Sequence, residues 1–219
     1  MDQTGTHRLP PEQIKKLLAR KWPEAVAKTT DSAGAIVRTG LEAFDRLFPQ
    51  HGLPYGQLIE ITGGESCGKT SLLFKILAAF TQSGPVAYVD FGGCLFPAAA
   101  ASSGVDIERL VVVTPENIPT GLRLAEQILG ERLARAVVLD LVGQTGELSQ
   151  TLLHRLRQQT NRSGATILFL TENNRGLLSA STVSLRLEVK HRGGRDFTVT
   201  VTKSRLSREG VRAEVHLDE

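Results

Sequence analysis

The sequence predicts an α/β fold: a mostly parallel central sheet flanked by helices, with an antiparallel extension at its C-terminal end. Short apolar runs alternate with helical segments along residues 57–170, which is typical of a parallel sheet with helical crossovers. After Thr182 the apolar residues recur at every second position, which is typical of antiparallel strands joined by turns. No internal repeat is present.

The predicted elements follow in a regular order. Strands of the parallel part cover residues 57–62, 86–90, 110–113, 136–140 and 165–170. The helices between them cover residues 70–82, 119–135 and 147–161. Antiparallel strands cover residues 183–190, 197–201 and 211–217, joined by turns at 191–195 and 204–210.

The N-terminal segment differs from the rest of the chain. Two prolines stand before Glu12, which suits the first turn of a helix because proline is tolerated there and an acidic group favours the helix dipole. The apolar residues of this predicted helix are Ile14, Leu17 and Leu18, with Trp22 at its end. The predicted organisation is therefore an amphipathic helix and linker over residues 1–35, followed by one core domain over residues 36–219.

Composition excludes several classes of protein. The chain has 219 residues, of which 41% are hydrophobic and 22% are charged, so it can form a core and is not predicted to be disordered. It contains neither the apolar run of roughly 18–20 residues that a membrane helix needs nor a secretory signal. Cys67 and Cys94 lie in unlike contexts, so no disulfide is expected. We therefore expect a cytoplasmic protein without a membrane partner.

A phosphate-binding motif leads into the predicted helix 70–82. The pattern G-x-x-x-x-G-K-[ST] is matched in full by Gly63, Gly64, Glu65, Ser66, Cys67, Gly68, Lys69 and Thr70. Glycines let backbone N–H groups converge on phosphate oxygens at the partly positive N-terminus of a helix. Lys69 is predicted to reach the β- and γ-phosphates, and Thr70 to ligate Mg²⁺. The alternative, a glycine-rich turn that matches by chance, is disfavoured by the strand and helix on either side.

A second Mg²⁺ ligand is predicted at Asp140. Residues 136–140 form an apolar strand that ends in an acid, which is the Walker B form. An aspartate at a strand end is also common as a simple cap, and the phosphate motif favours metal binding over that alternative. The predicted cofactors are therefore ATP and Mg²⁺.

The phosphate motif and its flanks closely resemble bacterial RecA. Residues 39–45, 52–70 and 103–110 resemble RecA segments that occur in the same order. The resemblance covers about residues 36–205 and implies a RecA-like P-loop NTPase core. We expect no counterpart of the C-terminal domain of RecA in this sequence.

Two departures from RecA bear on catalysis. In RecA the glutamate that activates the attacking water follows two residues after a strand-ending aspartate, and this chain has Gly92 at that position. RecA senses the γ-phosphate with a glutamine at the end of a later strand, where this chain has Thr171 and Glu172. Loss of a water-orienting group costs several orders of magnitude in related enzymes. The resemblance therefore implies weak ATPase activity at most, with Asp90, Glu65 and Glu172 as substitute bases.

The DNA-binding loops of RecA are shortened in this chain. Their counterparts are residues 143–146 and 173–181, which are too short to wrap single-stranded DNA as RecA does. The basic residues that could still contact DNA phosphate weakly are His154, Arg155, Arg157 and Arg175. A solvated helix face is the favoured alternative for these side chains.

Lys203 and Arg205 resemble two RecA lysines that reach across a subunit interface to the ATP of a neighbour. The resemblance implies that they complete a composite site on another copy of the chain or on RecA. A basic turn beside Arg208 and Arg212 is the alternative. The N-terminal helix of RecA docks on the adjacent protomer, which implies a partner surface for the predicted N-terminal helix; packing on its own domain is the alternative.

Intact phosphate binding, a missing glutamate and short DNA loops together resemble the ImuA family of RecA paralogues. That resemblance implies an accessory protein of SOS-induced, error-prone translesion synthesis, with RecA and a polymerase-like ImuB subunit as partners. Two alternatives stay open: a slow DNA-stimulated ATPase of recombinational repair, and a scaffold without nucleotide, related to cell-division inhibitors. From Arg186 to Arg212 there are eight Lys or Arg against three acids, which indicates a partner-facing surface.

Overall fold

The computed structural model describes residues 16, 20, 21, 35–145, 148–172, 178, 179 and 181–217. The strands in this part of the chain are β1 Ile36–Val37, β2 Leu53–Pro54, β3 Leu58–Gly63, β4 Val86–Asp90, β5 Leu110–Val113, β6 Ala136–Asp140, β7 Thr166–Glu172, β8 Leu185–Gly193, β9 Asp196–Ser204 and β10 Arg212–His216. The α-helices are α1 Glu42–Asp45, α2 Lys69–Ser83, α3 Pro97–Ser102, α4 Ile118–Gly130 and α5 Gln150–Ser163, and a 3₁₀ turn covers Ile107–Arg109.

Eight strands form the central sheet, in the order β10-β9-β8-β3-β7-β6-β4-β5. Strands β8, β3, β7, β6, β4 and β5 are parallel, whereas β9 is antiparallel to β8 and β10 is antiparallel to β9. Strands β1 and β2 form a separate antiparallel pair. The predicted fold class, a mostly parallel α/β sheet with an antiparallel C-terminal extension, is confirmed.

Two hydrophobic clusters cover the two faces of the sheet. One includes Phe44 of α1, Leu73 and Phe80 of α2, and the inward side chains of β8 to β10. The other includes Leu122 and Ile128 of α4 together with apolar side chains of α5. Because β3, β7 and β6 are covered on both faces, their carboxyl ends form the rigid edge on which the candidate site is built.

Several predicted boundaries shift. Helix α4 ends at Gly130 and not at 135, because Leu133 N donates to Ile128 O at 3.0 Å and Arg132 adopts φ +55°, a common way to close a helix. Helix α5 begins at Gln150 and not at 147, because the Ser149 hydroxyl accepts from Leu152 N as an N-cap. The short helices α1 and α3 were not predicted, since neither is long enough to show a helical period.

The predicted N-terminal helix falls mostly outside the described residues. The residues outside the described part include the four apolar residues predicted to contact a partner, Ile14, Leu17, Leu18 and Trp22. The predicted DNA-contacting Arg175, elsewhere in the chain, is also outside it. Of its charged residues, Lys21 places its Nζ 3.4 Å from the Glu108 carboxylate. Within the described ranges, no helix has both the length and the apolar character needed to span a membrane.

Candidate nucleotide-binding site

The predicted phosphate motif forms a tight loop between β3 and α2. Gly68, the residue before α2, has φ +87° and Ser66 has φ +51°, so the backbone is left-handed at two positions. The antiparallel strands pack against this loop. A Cβ atom on Gly63 would lie 2.5 Å from Val189 O, and one on Gly68 would lie 2.0 Å from the Phe197 ring carbon Cε1. Only glycine therefore fits at positions 63 and 68 of the motif.

The side chains of the motif divide into buried and exposed groups. Cys67 and Lys69 are buried, whereas Glu65, Ser66 and Thr70 are exposed. Lys69 Nζ donates a hydrogen bond to Gly64 O at 2.8 Å, which folds the ammonium group back over the loop. The Lys69 ammonium group and the backbone N–H groups at the start of α2 therefore lie at the same turn of the chain. Such a combination of positive charge and N–H donors is suited to binding phosphate.

Asp140, the predicted metal ligand, lies buried at the end of β6. Tyr88 OH donates to its Oδ2 at 2.6 Å, and Val142 N donates to its Oδ1 at 3.2 Å. Burial raises the pKa of Asp140 and the Asp90 carboxylate adds to this, whereas both hydrogen bonds and the Lys69 ammonium oppose it. A buried carboxylate beside a second carboxylate favours the approach of a cation.

The donors present fit a Mg²⁺ ion that arrives with a nucleotide. Mg²⁺ typically takes one or two carboxylates, with substrate phosphates and waters completing its shell. Thr70 is the second residue of α2, and Asp140 ends a strand at the same edge of the sheet. These two residues would hold the ion, while the loop and Lys69 would hold the phosphates.

Asp90 and Asp140 are register partners in the paired strands β4 and β6. Both oxygens of Asp90 accept backbone N–H groups, from Cys94 at 3.1 Å and from Leu95 at 2.8 Å. The carboxylate therefore shapes the turn after β4, and its role as a base stays a prediction. Gly92 is exposed in this turn, so the position of the RecA glutamate offers no side chain to a water molecule.

Glu172 ends β7 directly beside the phosphate loop, as the register partner of Gly63. The structure therefore brings this predicted substitute base to the loop, although its role as a base stays a prediction. Its neighbour Thr171 points to the opposite face of the sheet, as successive residues of a strand do. There the Thr171 hydroxyl donates to Glu60 Oε1 at 2.9 Å.

Sequence analysis does not identify Glu60, Arg186 or Tyr88. Glu60 is buried within β3, where Arg186 Nε donates to its Oε2 in an ion pair. Arg186 Nη2 also donates to Leu178 O at 3.0 Å. This network joins β7, β3 and β8 behind the phosphate loop. The sequence offers one sign of this network, which is the acidic Glu60 inside an apolar strand. The spacing of residues along the chain does not identify Arg186 as its partner.

Lys203 and Arg205 lie at the edge of the sheet opposite the phosphate loop, because β9 runs antiparallel to β8. Lys203 Nζ donates to Val183 O at 2.8 Å, and Arg205 Nη2 donates to Ser181 O at 3.3 Å. Neither side chain can therefore serve the loop of its own chain. Their role toward a neighbouring nucleotide stays a prediction.

Arg157 joins these two residues, since its Nη1 donates to the same Ser181 O at 3.2 Å. We call Arg157, Lys203 and Arg205 the cationic cluster. Burial lowers the pKa of Lys203, and the charges of Arg205, Arg186 and Arg157 lower it further, whereas the Glu209 carboxylate opposes the shift. Among the described residues, neither Lys203 nor Arg205 has a salt bridge within 4.0 Å. The cluster therefore carries excess positive charge.

The connection between β6 and α5 spans residues 141–149, which is longer than the predicted loop 143–146. Of the predicted DNA-facing bases, His154 is exposed on α5 and Arg155 forms an ion pair with Glu126 at 2.8 Å. Arg157 belongs to the cationic cluster. Contact of these residues with DNA stays a prediction.

Comparison with known proteins shows which family the chain belongs to. Residues 12–169 match the family described as the RecA N-terminal domain. The chain belongs to this family. Protein RecA of Bifidobacterium longum (strain NCC 2705) is 31% identical over 179 residues, which are 73% of this chain and 45% of that protein. Protein RecA of Arthrospira platensis is 35% identical over 140 residues, which are 55% of this chain and 38% of that protein.

Protein RecA of Picosynechococcus sp. (strain ATCC 27264 / PCC 7002 / PR-6) is 32% identical over 140 residues, which are 55% of this chain and 40% of that protein. The chain therefore spans less than half the length of these RecA relatives. The family match includes the phosphate loop, Tyr88 and Asp140, and it ends within β7. Glu172 lies beyond it, and so do Lys203 and Arg205 of the cationic cluster, whereas Arg157 lies within it.

Proposed function

We propose that this RecA-type chain is an ATP- and Mg²⁺-binding accessory protein of the bacterial DNA-damage (SOS) response. It acts as a regulator or adaptor in error-prone translesion DNA synthesis, as in the ImuA family. Its partners are RecA and a polymerase-like ImuB subunit. Residues 36–219 form the nucleotide-binding core, and residues 1–35 provide a partner-binding helix.

One observation carries this proposal: the turn after β4 retains the aspartate but has Gly92 where RecA has its catalytic glutamate. The loop that binds phosphate is complete, whereas Asp90 is engaged by backbone N–H groups. A site built in this way binds a nucleotide without turning it over rapidly, which suits a switch better than a motor.

The cationic cluster supports the partner part of the proposal. It lies at the edge of the sheet away from its own loop, and neither Lys203 nor Arg205 forms a salt bridge among the described residues, although the Glu209 carboxylate interacts with Lys203 at longer range. Such a surface favours an anionic group on another molecule, including the phosphates of a nucleotide held by a neighbouring subunit.

A titration with two readouts tests the function. Nucleotide affinity and phosphate release are measured with and without single-stranded DNA, for the wild type and for Lys69→Ala. Micromolar binding without turnover supports the switch. DNA-stimulated turnover that Lys69→Ala abolishes favours the slow ATPase instead, a candidate that gains support from the position of Glu172 beside Gly63. If the wild type binds no nucleotide, the scaffold function without nucleotide is the remaining hypothesis.

The partner claim is tested by capture of RecA. We expect Lys203→Glu/Arg205→Glu, or deletion of residues 1–35, to weaken capture. The double variant Arg208→Glu/Arg212→Glu makes the same change of charge in the same extension and serves as the matched control. Capture that survives both the deletion and the reversal at Lys203 and Arg205 excludes both proposed contacts.

A further inference from the structure

Tyr88 is a fully buried tyrosine in strand β4, where the residues on either side of it, Ala87 and Val89, are apolar. Its ring belongs to the hydrophobic cluster on the α2 face of the sheet, where a phenylalanine ring would fill the same space. Its hydroxyl donates one hydrogen bond, to Asp140 Oδ2 at 2.6 Å. A buried hydroxyl without a hydrogen-bond partner destabilises the folded state. The polar atom of this side chain is therefore explained by Asp140 and not by packing.

The carboxylate of Asp140 is held from two sides. Tyr88 OH binds Oδ2 and Val142 N binds Oδ1, so each oxygen has one donor and keeps a further lone pair. The neighbouring Asp90 is held in the same manner by two backbone N–H groups. Two carboxylates that repel one another in adjacent strands are thus each fixed by their own donors. In the described part of the chain, Tyr88 is the only side chain that hydrogen-bonds to Asp140.

We infer that Tyr88 is a positioning residue, which holds the Asp140 carboxylate in the orientation that binds the divalent cation of the nucleotide. This inference rests on the proposed nucleotide binding. A partner that hydrogen-bonds to a metal-binding carboxylate fixes its rotamer and supports its charged form, and loss of such a partner weakens metal affinity about 10- to 100-fold. Tyr88 does not touch the nucleotide or the ion in this role.

The second tyrosine of the chain provides a matched control. Tyr55 packs edge-on against Phe80 with ring centroids 5.3 Å apart, and the Arg135 guanidinium carbon lies 5.9 Å from the Tyr55 ring centroid. Tyr55 and Tyr88 are the only tyrosines in the sequence. Tyr55→Phe and Tyr88→Phe therefore make the same chemical change, and only Tyr88→Phe removes a donor from Asp140.

The experiment measures binding of a fluorescent ATP analogue along a Mg²⁺ titration, and separately in EDTA. For Tyr88→Phe we expect the Mg²⁺ concentration for half-maximal enhancement to rise about 10-fold or more. Affinity in EDTA should stay at the wild-type value, because the loop and Lys69 are untouched. Tyr55→Phe should match the wild type in both conditions. A purely structural role of the Tyr88 hydroxyl would lower both affinities together and would overturn the inference.

Asp140→Asn and the double variant Tyr88→Phe/Asp140→Asn complete a cycle. If Tyr88 acts through Asp140, the double variant has the same Mg²⁺ dependence as Asp140→Asn alone. Additive losses, or an unchanged Mg²⁺ dependence in Tyr88→Phe, would overturn the inference while leaving nucleotide binding in place. A wild type that binds the analogue in neither condition would overturn the proposed function itself, and the role of Tyr88 with it.

Discussion

The aromatic ring of Phe197, in β9, lies directly against the backbone of Gly68 at the start of α2. A Cβ atom on Gly68 would come within 2.0 Å of this ring, and Gly68 also has φ +87°. The antiparallel extension thus supports the loop that is proposed to hold the nucleotide.

Gly68→Ala should destabilise the protein by roughly 2–5 kcal/mol, the combined cost of left-handed strain and overpacking, and should abolish nucleotide binding. Gly143→Ala is the control, since Gly143 has φ +74° and no atom of the described residues lies within 4 Å of its Cβ position. It should cost only about 1–2 kcal/mol. Urea denaturation compares the two, and equal losses would show that Phe197 does not restrict the loop.

Asp140→Asn should stabilise the protein without ligand. Because burial raises the pKa of Asp140 above its ordinary value, the native state binds this proton more tightly than the unfolded chain does. The contribution of Asp140 to stability therefore falls as pH rises through the folded-state pKa, and the ionised carboxylate is unfavourable at neutral pH.

A gain of about 1 kcal/mol would raise the Tm of Asp140→Asn by roughly 2–4 °C in a protein of this size. The difference in Tm from the wild type should narrow as pH is lowered through the folded-state pKa toward the ordinary pKa of an aspartate. Thermal unfolding of both proteins between pH 7.5 and acid pH measures this difference in Tm. A gap of constant size would mean that the charge of Asp140 is not its cause.

Arg186→Met should destabilise the protein by about 3–5 kcal/mol, because it leaves the buried Glu60 carboxylate without its ion-pair partner. The double variant Glu60→Met/Arg186→Met should regain much of this loss. Arg192→Met removes an exposed ion pair with Glu214 and should cost at most about 1 kcal/mol. Similar unfolding free energies for the two single variants would contradict the importance of the buried pair.

Sulfate should stabilise the protein partly through the cationic cluster. Binding at a concentration tenfold above the dissociation constant contributes about 1.4 kcal/mol. The double variant Lys203→Gln/Arg205→Gln should lose part of the sulfate-dependent rise in Tm. Arg208→Gln/Arg212→Gln makes the same change in net charge and should keep it. An equal loss in both variants would indicate general charge screening.

Gly92→Glu should raise ATP hydrolysis if only the base is missing. The position is exposed, and a Cβ there would lie 3.3 Å from Cys94 Sγ, so the exposed thiol must shift slightly. Gly92→Gln has the same shape without a base and should leave hydrolysis at the wild-type level. Phosphate release per nucleotide bound is the readout. No increase in Gly92→Glu would mean that the site differs from RecA in more than this residue.

The parts of the site that sequence analysis predicts are local. The loop from Gly63 to Thr70 is one contiguous motif, and Asp140 follows an apolar strand, so each is visible without knowledge of the fold. Tyr88 and Asp140 are 52 positions apart, and Glu60 and Arg186 are 126 apart. Such pairs depend on strand order, which the pattern of strands and helices restricts to a class but does not specify.

The end residues of helices and strands were predicted less well than their existence, because these ends also depend on contacts between distant parts of the chain. Helix α4 is closed by the left-handed Arg132, a residue that propensity does not favour in this conformation. Strand β7 continues through Thr171 to Glu172 because β3 pairs with both residues, whereas its pairing with β6 ends at Leu170. Tertiary contacts set these limits.

The burial of Cys67 within the phosphate loop makes the alkylation rate of its thiol a probe of loop opening. Cys94 is an exposed thiol, whereas Cys67 is buried under the turn of the loop. An alkylating reagent should therefore modify Cys94 at once and Cys67 only when the loop opens. The ratio of the two alkylation rates reports the opening equilibrium of the loop in the wild type. A compound that slows alkylation of Cys67 but not of Cys94 therefore stabilises the closed loop.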